Sequence, residues 1–312
     1  MLEQASKATT AMSLKKGLQR RWRLGEKFIE SWILLAGILT IVVLLGIIAL
    51  LLKEGLPAFW YTPPWEFFFG TKWYPVSEPP TFGIMPFFVA TLWVTVVATA
   101  ISVPIGVACA AYLAEVAPGK VRETVKPIIE ILAGIPSVVM GFIGLMLLSP
   151  LVQSIFNLNT GLSGFTAGIM LSLMSLPIII SVSEDALRAV PDDFRQAAYA
   201  LGSTKWETIR HVSIPGALSG ITAAVMLGVG RAIGETMTVL MVAGGALAVP
   251  VSPTEPMMPM TAAIASGIGN AVRGGLQYQA LFAIGLILFV VTLAVNLIAD
   301  KVLERQKSKF SR

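Results

Sequence analysis

The chain has 312 residues, of which 55% are hydrophobic and only 13% are charged, whereas soluble domains carry about 25% charged residues. The formal net charge is +5, but the charges lie at the ends of long apolar segments, which excludes a nucleic-acid-binding domain with a basic face. A single cysteine, Cys109, and a single histidine, His211, exclude a disulfide framework and a metal site. The composition therefore indicates an all-α membrane protein.

The first part of the chain predicts a cytoplasmic segment, a membrane span and an outer loop. Residues 1–27 are basic, and residues 28–52 contain the uncharged stretch SWILLAGILTIVVLLGIIALLL, which is long enough to cross the ~30 Å hydrocarbon core. This run exceeds the apolar core of a signal peptide, so we expect a retained first span. Residues 53–83 form the outer loop, whose stretch EGLPAFWYTPPWEFFFGTKWYP holds four prolines and nine aromatic residues. An aromatic belt at the membrane surface is favoured over a docking surface for an external partner.

The region 84–304 is predicted to contain five further spans. Uncharged runs and turn residues place them near Ile84–Tyr112, Lys126–Leu148, Phe165–Val182, Ile214–Ala246 and within Gly274–Ala299. The stretch SPLVQSIFNLNTGLSG, residues 149–164, is interpreted as the turn between spans three and four. Span five would be about 50 Å long as a straight helix, so we expect it to protrude, tilt or break near a glycine.

The distribution of positive charges predicts the orientation. With six spans and the N-terminus inside, 19 of the 23 lysines and arginines lie on the inner side, including those of the tail 305–312, and 3 lie outside. Because inner loops are enriched in Lys and Arg, both termini are predicted to be cytoplasmic. The remaining positive charge, Arg231, lies within span five.

The longest inside loop between spans, residues 184–213, is predicted to form short helices. Pro191 and the pair Asp192–Asp193 suit a helix start, Gly202 suits a helix end, and Thr204 with Glu207 matches a capping box. An apolar face at helical spacing is formed by Phe194, Ala197, Ala198 and Leu201. This face either packs against the protein's own spans or docks into a groove of a cytoplasmic partner.

The same loop resembles the signature loop of the membrane subunits of ABC importers, roughly EAA, three residues, Gly, nine residues and then I-x-L-P. Here it reads QAAYALG and then VSIP. The matching positions are Ala197, Ala198, Gly202, Val212, Ile214 and Pro215. Gln196 replaces the usual glutamate, which affects a contact that needs a carboxylate but not the helix. The resemblance implies that this loop, with Gln196, docks on an ATPase subunit.

Two further stretches, ILAGIPSVVMGFIGL and GVGRAIGETM, resemble the permease subunits of phosphate importers of the Pst type, most closely the PstC type. The resemblance extends from about span two to span six. It implies the type I ABC importer permease fold in the bacterial inner membrane. It also implies a PstA-like second permease, a PstB-like ATPase dimer and a PstS-like periplasmic phosphate-binding protein. The sequence has no G-x-x-x-x-G-K-[ST] loop, so we expect a chain that is not an enzyme and binds no cofactor, with ATP and Mg held by the ATPase partner.

The charged residues of span five are the candidate substrate path. In one continuous helix, Arg231, Glu235 and Thr238 would follow i, i+4 and i+7 and form a single polar stripe. A charge at the bilayer centre costs about 2.5–3.5 kcal/mol, so this stripe should face away from lipid. Gly230 and Gly234 would allow a second helix to approach closely.

Two interpretations of this charge pair are open. It is either a structural ion pair or an anion site, since the planar guanidinium of Arg231 fits a phosphate oxyanion bidentately. The Pst resemblance favours the anion site, because these positions match charged residues implicated in transport in that family. We hypothesise that Glu235 neutralises Arg231 while the path is empty.

Three other functions compete with phosphate import. An ABC permease for another oxyanion, such as sulfate or molybdate, is the close rival, because the signature loop alone indicates only an ABC importer. An ion-coupled secondary transporter is disfavoured by the lack of a visible inverted repeat. A membrane scaffold with a structural Arg–Glu pair is the third.

Overall fold

The computed structural model describes the backbone of residues 2–310 and the side chains of residues 29–299 and 301. The chain divides into two units, residues 1–53 and 54–312. Residues 2–53 of the first unit lie in helix α1 (Leu2–Gly55), where a stretch apolar enough to cross a membrane begins at Ile29. The side chains of the basic segment 1–27 and of the tail 305–312 lie outside the described residues, so their cytoplasmic location stays a prediction.

The second unit begins with a small segment that corresponds to the predicted outer loop. Its elements are helices α2 (Ala58–Tyr61) and α3 (Pro64–Phe69) and the antiparallel strands β1 (Trp73–Tyr74) and β2 (Thr81–Phe82). The buried Trp73 packs edge-on against Phe82 and Phe87, with ring centroids 5.5 and 5.2 Å apart. Part of the aromatic content therefore forms a small core, while Trp60 and Trp65 are exposed. The belt and the docking interpretation of those exposed rings both stay predictions.

The rest of the second unit is mostly helical, apart from its connecting segments, the longest of which is 243–259. Its helices are α4 (Met85–Ala111), α5 (Gly119–Ala133), α6 (Ser137–Ile143), α7 (Ser149–Phe156), α8 (Gly164–Arg188), α9 (Asp192–Ala200), α10 (Lys205–Thr208), α11 (Ile214–Gly216), α12 (Leu218–Gly234), α13 (Met237–Val242), α14 (Met260–Ile268) and α15 (Leu276–Phe310). Three π-helical turns supplement them at Tyr112–Val116, Gly144–Leu148 and Ile209–Ser213. In the described part of the chain, 5 helical stretches are long and apolar enough to span a membrane, or 6 if one bent pair counts as a span. The prediction of six spans agrees with the second count.

Span three differs from the single helix predicted over Lys126–Leu148. Helix α5 ends before Pro136, because proline lacks an N–H and disfavours a helical residue before it. The spanning stretch then starts with α6 and continues to the end of α7, where the left-handed residue Asn157 terminates it. Pro150 is tolerated because it lies in the first turn of α7. The interpretation of residues 149–164 as a turn throughout is therefore wrong.

Span five is interrupted twice, which confirms the expectation of a break near a glycine. A bend of 71° separates the stretch Lys205–Gly216 from α12. Glu235 and Thr236 then leave the helical conformation between α12 and α13. Helix α14 is 9 residues long and lies between spans five and six, where the sequence analysis predicts no element; it is too short to span a membrane.

Helix α12 packs on α8 along a seam of small residues at i, i+4 and i+8: Gly220, Ala224 and Gly228. A Cβ atom on Gly228 would lie 2.7 Å from the side chain of Ile179 of α8, so a larger residue would force that side chain or the helices to move. Ser175 of α8 donates a hydrogen bond to the carbonyl of Gly228 at 3.2 Å. The seam fixes which side of α12 faces the interior of this subunit.

Candidate site in span five and the inside loop

Arg231 lies in the last turn of α12, at the border between the seam and the opposite side of the helix. That opposite side, here called the open face, consists of Leu227, Gly230 and Gly234. Leu227 is 56% exposed, and a Cβ atom on either glycine would meet nothing within 4 Å in the described part of the chain. The predicted close helix approach at these two glycines is therefore wrong within this subunit, since Gly228 serves that purpose instead. The open face leaves room for a path or for a second subunit.

The structural ion pair between Arg231 and Glu235, one of the two interpretations left open by the sequence, is not formed among the described residues. Helix α12 ends at Gly234, and Glu235 has extended backbone angles, φ −71° and ψ 132°. The i, i+4 geometry of a continuous helix is thereby lost, and the single polar stripe that was predicted is wrong. The Nε of Arg231 is buried and has no hydrogen-bond partner in the described part. An unsatisfied buried donor costs about 1–3 kcal/mol, so a hydrogen bond from this guanidinium to an acceptor would be favourable.

Glu235 and Thr238 occupy different environments on the two sides of the helix break. Among the described residues, the carboxylate of Glu235 accepts one long hydrogen bond, 3.4 Å, from the backbone N–H of Thr238. The backbone carbonyl of Glu235 accepts a hydrogen bond from the Thr261 hydroxyl at 2.8 Å. Thr238 is fully buried, and its hydroxyl donates to the carbonyl of Ser137 at 2.9 Å. Thr238 therefore fastens α13 to α6 and does not face the open side, contrary to the predicted stripe. No sequence pattern marked Ser137 as a neighbour of Thr238 or Thr261 as a neighbour of Glu235.

The inside loop folds largely as its sequence signals predict. Helix α9 begins at Asp192, one residue later than expected, with Pro191 as its N-cap. Gly202 has a φ of +83°, which favours glycine after a helix end. The capping box of Thr204 and Glu207 is confirmed in both directions. Hydrogen bonds from the backbone N–H and the hydroxyl of Thr204 lower the pKa of Glu207.

The apolar face of α9 is mostly uncovered by the chain itself. Phe194 and Leu201 are 60% and 89% exposed, and Ala197 is exposed with them, whereas Ala198 packs inward. Gln196 is exposed on the same helix. A groove of about 630 Å³ adjoins this face and is lined by residues that include Pro191, Phe194, His211 and Pro215. Of the two interpretations of this face, the geometry favours docking of a partner.

A buried carboxylate at the inner end of span four was not predicted as a site. Glu184 is 1% exposed, and its oxygens lie 2.9 Å from Arg122 Nε, 2.7 Å from Lys126 Nζ and 3.6 Å from Arg188 Nη1. Hydrogen bonds to Glu184 and Asp185 raise the pKa of Lys126. In the sequence these charges served only to orient the chain, and their spacing carries no sign that α5 and α8 meet there.

Comparison with known proteins identifies the class of transport permease subunits as the one to which this helical membrane chain belongs. Residues 102–308 match the family described as binding-protein-dependent transport system inner membrane component, and the chain belongs to this family. This confirms the predicted family and fold class.

Individual relatives and structures agree with this assignment. The chain is 36% identical over 277 residues to the probable ABC transporter permease protein YqgH of Bacillus subtilis (strain 168), covering 88% of each chain. It is 36% identical over 305 residues to the phosphate transport system permease protein PstC of Mesorhizobium japonicum, covering 92% of each. A chain of a bacterial alginate ABC transporter, crystallised in complex with an alginate pentasaccharide-bound periplasmic protein, has a TM-score of 0.61. That match covers 91% of this chain and 98% of the other at 18% identity, and it shows a common fold.

Proposed function

We propose that this chain is the permease subunit of an ATP-driven importer of inorganic phosphate in the bacterial inner membrane, where it forms half of the translocation path. Relatives named as phosphate transport permeases, at 34–36% identity over most of the chain, support the choice of substrate. The family supports the place of the chain in a binding-protein-dependent system.

The observation that carries the proposal is the unpartnered buried Nε of Arg231 beside the open face of α12. A guanidinium within a span is costly unless it serves a function, and its fork of donors fits an oxyanion. Glu235, held in the helix break, would accept a hydrogen bond from a protonated phosphate oxygen, which sulfate lacks at neutral pH. Thr238 contributes by holding α13 against α6, which fixes the far side of the break.

The partners follow from the surfaces that remain uncovered. A second, similar permease would close the path against the open face of α12. A cytoplasmic ATPase dimer, which would bind the ATP and Mg, would dock on α9 around Gln196, Ala197 and Gly202. Ala198 and Pro215 would support that contact from behind. A periplasmic phosphate-binding protein would deliver the anion, and ATP-driven closure of the ATPase dimer would open the path alternately to each side.

Uptake of labelled phosphate by the reconstituted complex, with and without ATP, tests the proposal. Arg231→Gln should abolish uptake while the complex still assembles, because the fixed positive charge is lost. Arg273→Gln is the matched control, since it removes the same charge from an exposed residue outside the spans and should leave uptake unchanged. Normal uptake by Arg231→Gln would refute the anion site, and uptake without ATP would refute the ABC mechanism.

Competition between anions tests the part assigned to Glu235. In the intact complex, excess sulfate should not reduce phosphate uptake. Glu235→Gln should impair phosphate uptake or its coupling to ATP, because an amide replaces the acceptor carboxylate. Wild-type transport by this variant would exclude the proposed role, and ATP-driven uptake of sulfate or molybdate instead of phosphate would assign the chain to another oxyanion.

A further inference from the structure

Arg195 of α9 has a hydrogen-bond environment that is unusually complete. Its side chain is 13% exposed, and all five of its N–H donors are used. Nε lies 3.1 Å and Nη2 2.9 Å from Glu115 Oε1, Nη2 also donates to Leu187 O at 2.8 Å, and Nη1 donates to Val190 O at 2.7 Å and to Asp192 Oδ1 at 2.8 Å. A rigid guanidinium fork that is fully satisfied holds its neighbours in one geometry.

The acceptors of Arg195 belong to three different parts of the subunit. Glu115, which is 6% exposed, lies in the π-helical turn Tyr112–Val116 that ends span two. Leu187 lies in the last turn of α8, span four, and Val190 follows it. Carbonyls at a helix C-terminus lack partners within the helix, and a cation there is favoured by the helix dipole. One side chain thus joins the inside-loop helix to the inner ends of two spans.

The two sides of α9 therefore differ in what they contact. Phe194 and Leu201 point away from the subunit and are uncovered, whereas Arg195 and Ala198 point into it. A displacement of this short helix by a partner bound to its outer side would reach the spans through the residues on its inner side. Among these, Arg195 has the bonds with the strictest geometry.

We propose that Arg195 is a positioning residue that transmits movement of α9 to spans two and four through Glu115 and the carbonyls at the end of α8. This proposal rests on the proposed function, because it takes α9 as the docking site of an ATPase. It goes further by naming the joint between that site and the transmembrane path. A purely structural role would stabilise the loop but would not affect how much transport each ATP drives.

The test compares variants that break the joint in different places. Arg195→Lys keeps the charge but cannot form five hydrogen bonds, and Glu115→Gln keeps the shape but removes the ion pair. Asp192→Asn is the matched control, because Asp192 bonds the same guanidinium but lies on α9 itself and is 82% exposed. In the reconstituted complex, Arg195→Lys and Glu115→Gln should lower uptake per ATP hydrolysed about tenfold, while ATP hydrolysis persists and Asp192→Asn keeps the wild-type ratio.

Two outcomes would overturn the proposal. One is a wild-type ratio of uptake to hydrolysis in both Arg195→Lys and Glu115→Gln. The other is a parallel loss of uptake and hydrolysis at equal amounts of assembled complex, which is what a structural role alone predicts. The double variant should be no worse than the worse single variant, because both remove the same link.

A second readout does not depend on the transported anion. Cys109, the single cysteine of the chain, lies on span two, six residues before Glu115. ATP should change its alkylation rate in the wild-type complex, measured by mass spectrometry of this chain, and Arg195→Lys should remove that change. If the wild-type complex hydrolyses ATP but imports no phosphate, the proposed function fails. The alkylation rate of Cys109 still tests whether Arg195 transmits movement from α9 to the spans. An ATP response that is absent in the wild type, or equal in Arg195→Lys, would refute the transmission.

Discussion

Replacing Glu184 by glutamine should destabilise the subunit far more than the same change at its neighbour Asp185. Both carboxylates bond Lys126, and they lie next to each other on α8. They differ in exposure, since the side chain of Glu184 is 2% exposed and that of Asp185 is 66% exposed. Glu184→Gln leaves three cations converging on a neutral group, whereas Asp185→Asn weakens one solvated pair.

The magnitude follows from burial and from the number of partners. Removing one member of a buried ion pair typically costs about 3–5 kcal/mol, because the partner charge stays behind uncompensated. The partners of Glu184 are 29–43% exposed, so water relieves part of the cost and a value near the lower limit, about 3 kcal/mol, is expected. An exposed pair such as Lys126–Asp185 contributes about 0.2–1 kcal/mol. The two variants should therefore differ by about 2 kcal/mol or more, roughly a 30-fold change in the unfolding equilibrium.

Equilibrium unfolding in mixed micelles, followed by helical circular dichroism during a titration with SDS, measures this difference. Equal midpoints for Glu184→Gln and Asp185→Asn would refute the reasoning that burial gives the cluster its strength. The pH dependence provides a second check. Because the pKa of Lys126 is raised above 10.5 by its hydrogen bonds, its contribution is fully present below the unfolded-state pKa and is lost as the pH rises through the higher folded-state pKa. Glu184→Gln should weaken that loss of stability.

The seam between α12 and α8 and the cap of α10 yield two further predictions. Gly228→Leu should destabilise the subunit by about 1–3 kcal/mol, since even its Cβ would lie 2.7 Å from Ile179. Gly230→Ala, where a Cβ meets nothing within 4 Å, should change stability by less than about 1 kcal/mol in the same SDS titration, and similar effects of both changes would contradict the seam. The pKa of Glu207 is lowered below 4.5, so its cap should be complete above pH 4.5 and lost as the pH falls through the lower folded-state pKa. As the pH falls through the folded-state pKa of Glu207, hydrogen-exchange protection of residues 204–208 should fall. In Thr204→Ala the protection should not change over this pH range, and unchanged protection in the intact chain would exclude the cap.

Local signals in the sequence were sufficient for much of this architecture. Uncharged runs of about 20 residues can satisfy their backbone groups in a membrane only as helices, so the number of spans could be predicted. The inside loop contains local helix-end and helix-start signals, Gly202 and the Thr204–Glu207 pair, and both have the predicted conformation. The signature loop and the stretch around Arg231 were also sufficient to predict the protein family.

What could not be predicted depends on contacts between distant segments. A break near a glycine of span five could be expected, but the sequence does not say which glycine ends the helix. At the break after Gly234 the hydroxyl of Thr261, 26 residues away, donates a hydrogen bond to the carbonyl of Glu235. An i, i+4 argument assumes an unbroken helix, and the predicted ion pair with Arg231 fails for that reason. Likewise, Arg195 meets Glu115 across 80 residues, and no local pattern reports that distance.

The attachment of α9 also bears on how the subunits assemble. A loop that ordered only on contact with its partner would lose conformational entropy at that moment, and the affinity would fall accordingly. Here the helix follows Pro191, ends before Gly202 with its positive φ, and is held by the hydrogen bonds of Arg195 within the subunit alone. The conformational entropy of this helix is therefore lost during folding of the permease and not on binding. If α9 is the docking site proposed above, a partner meets a helix that is already ordered, and the absence of an ordering step favours fast association.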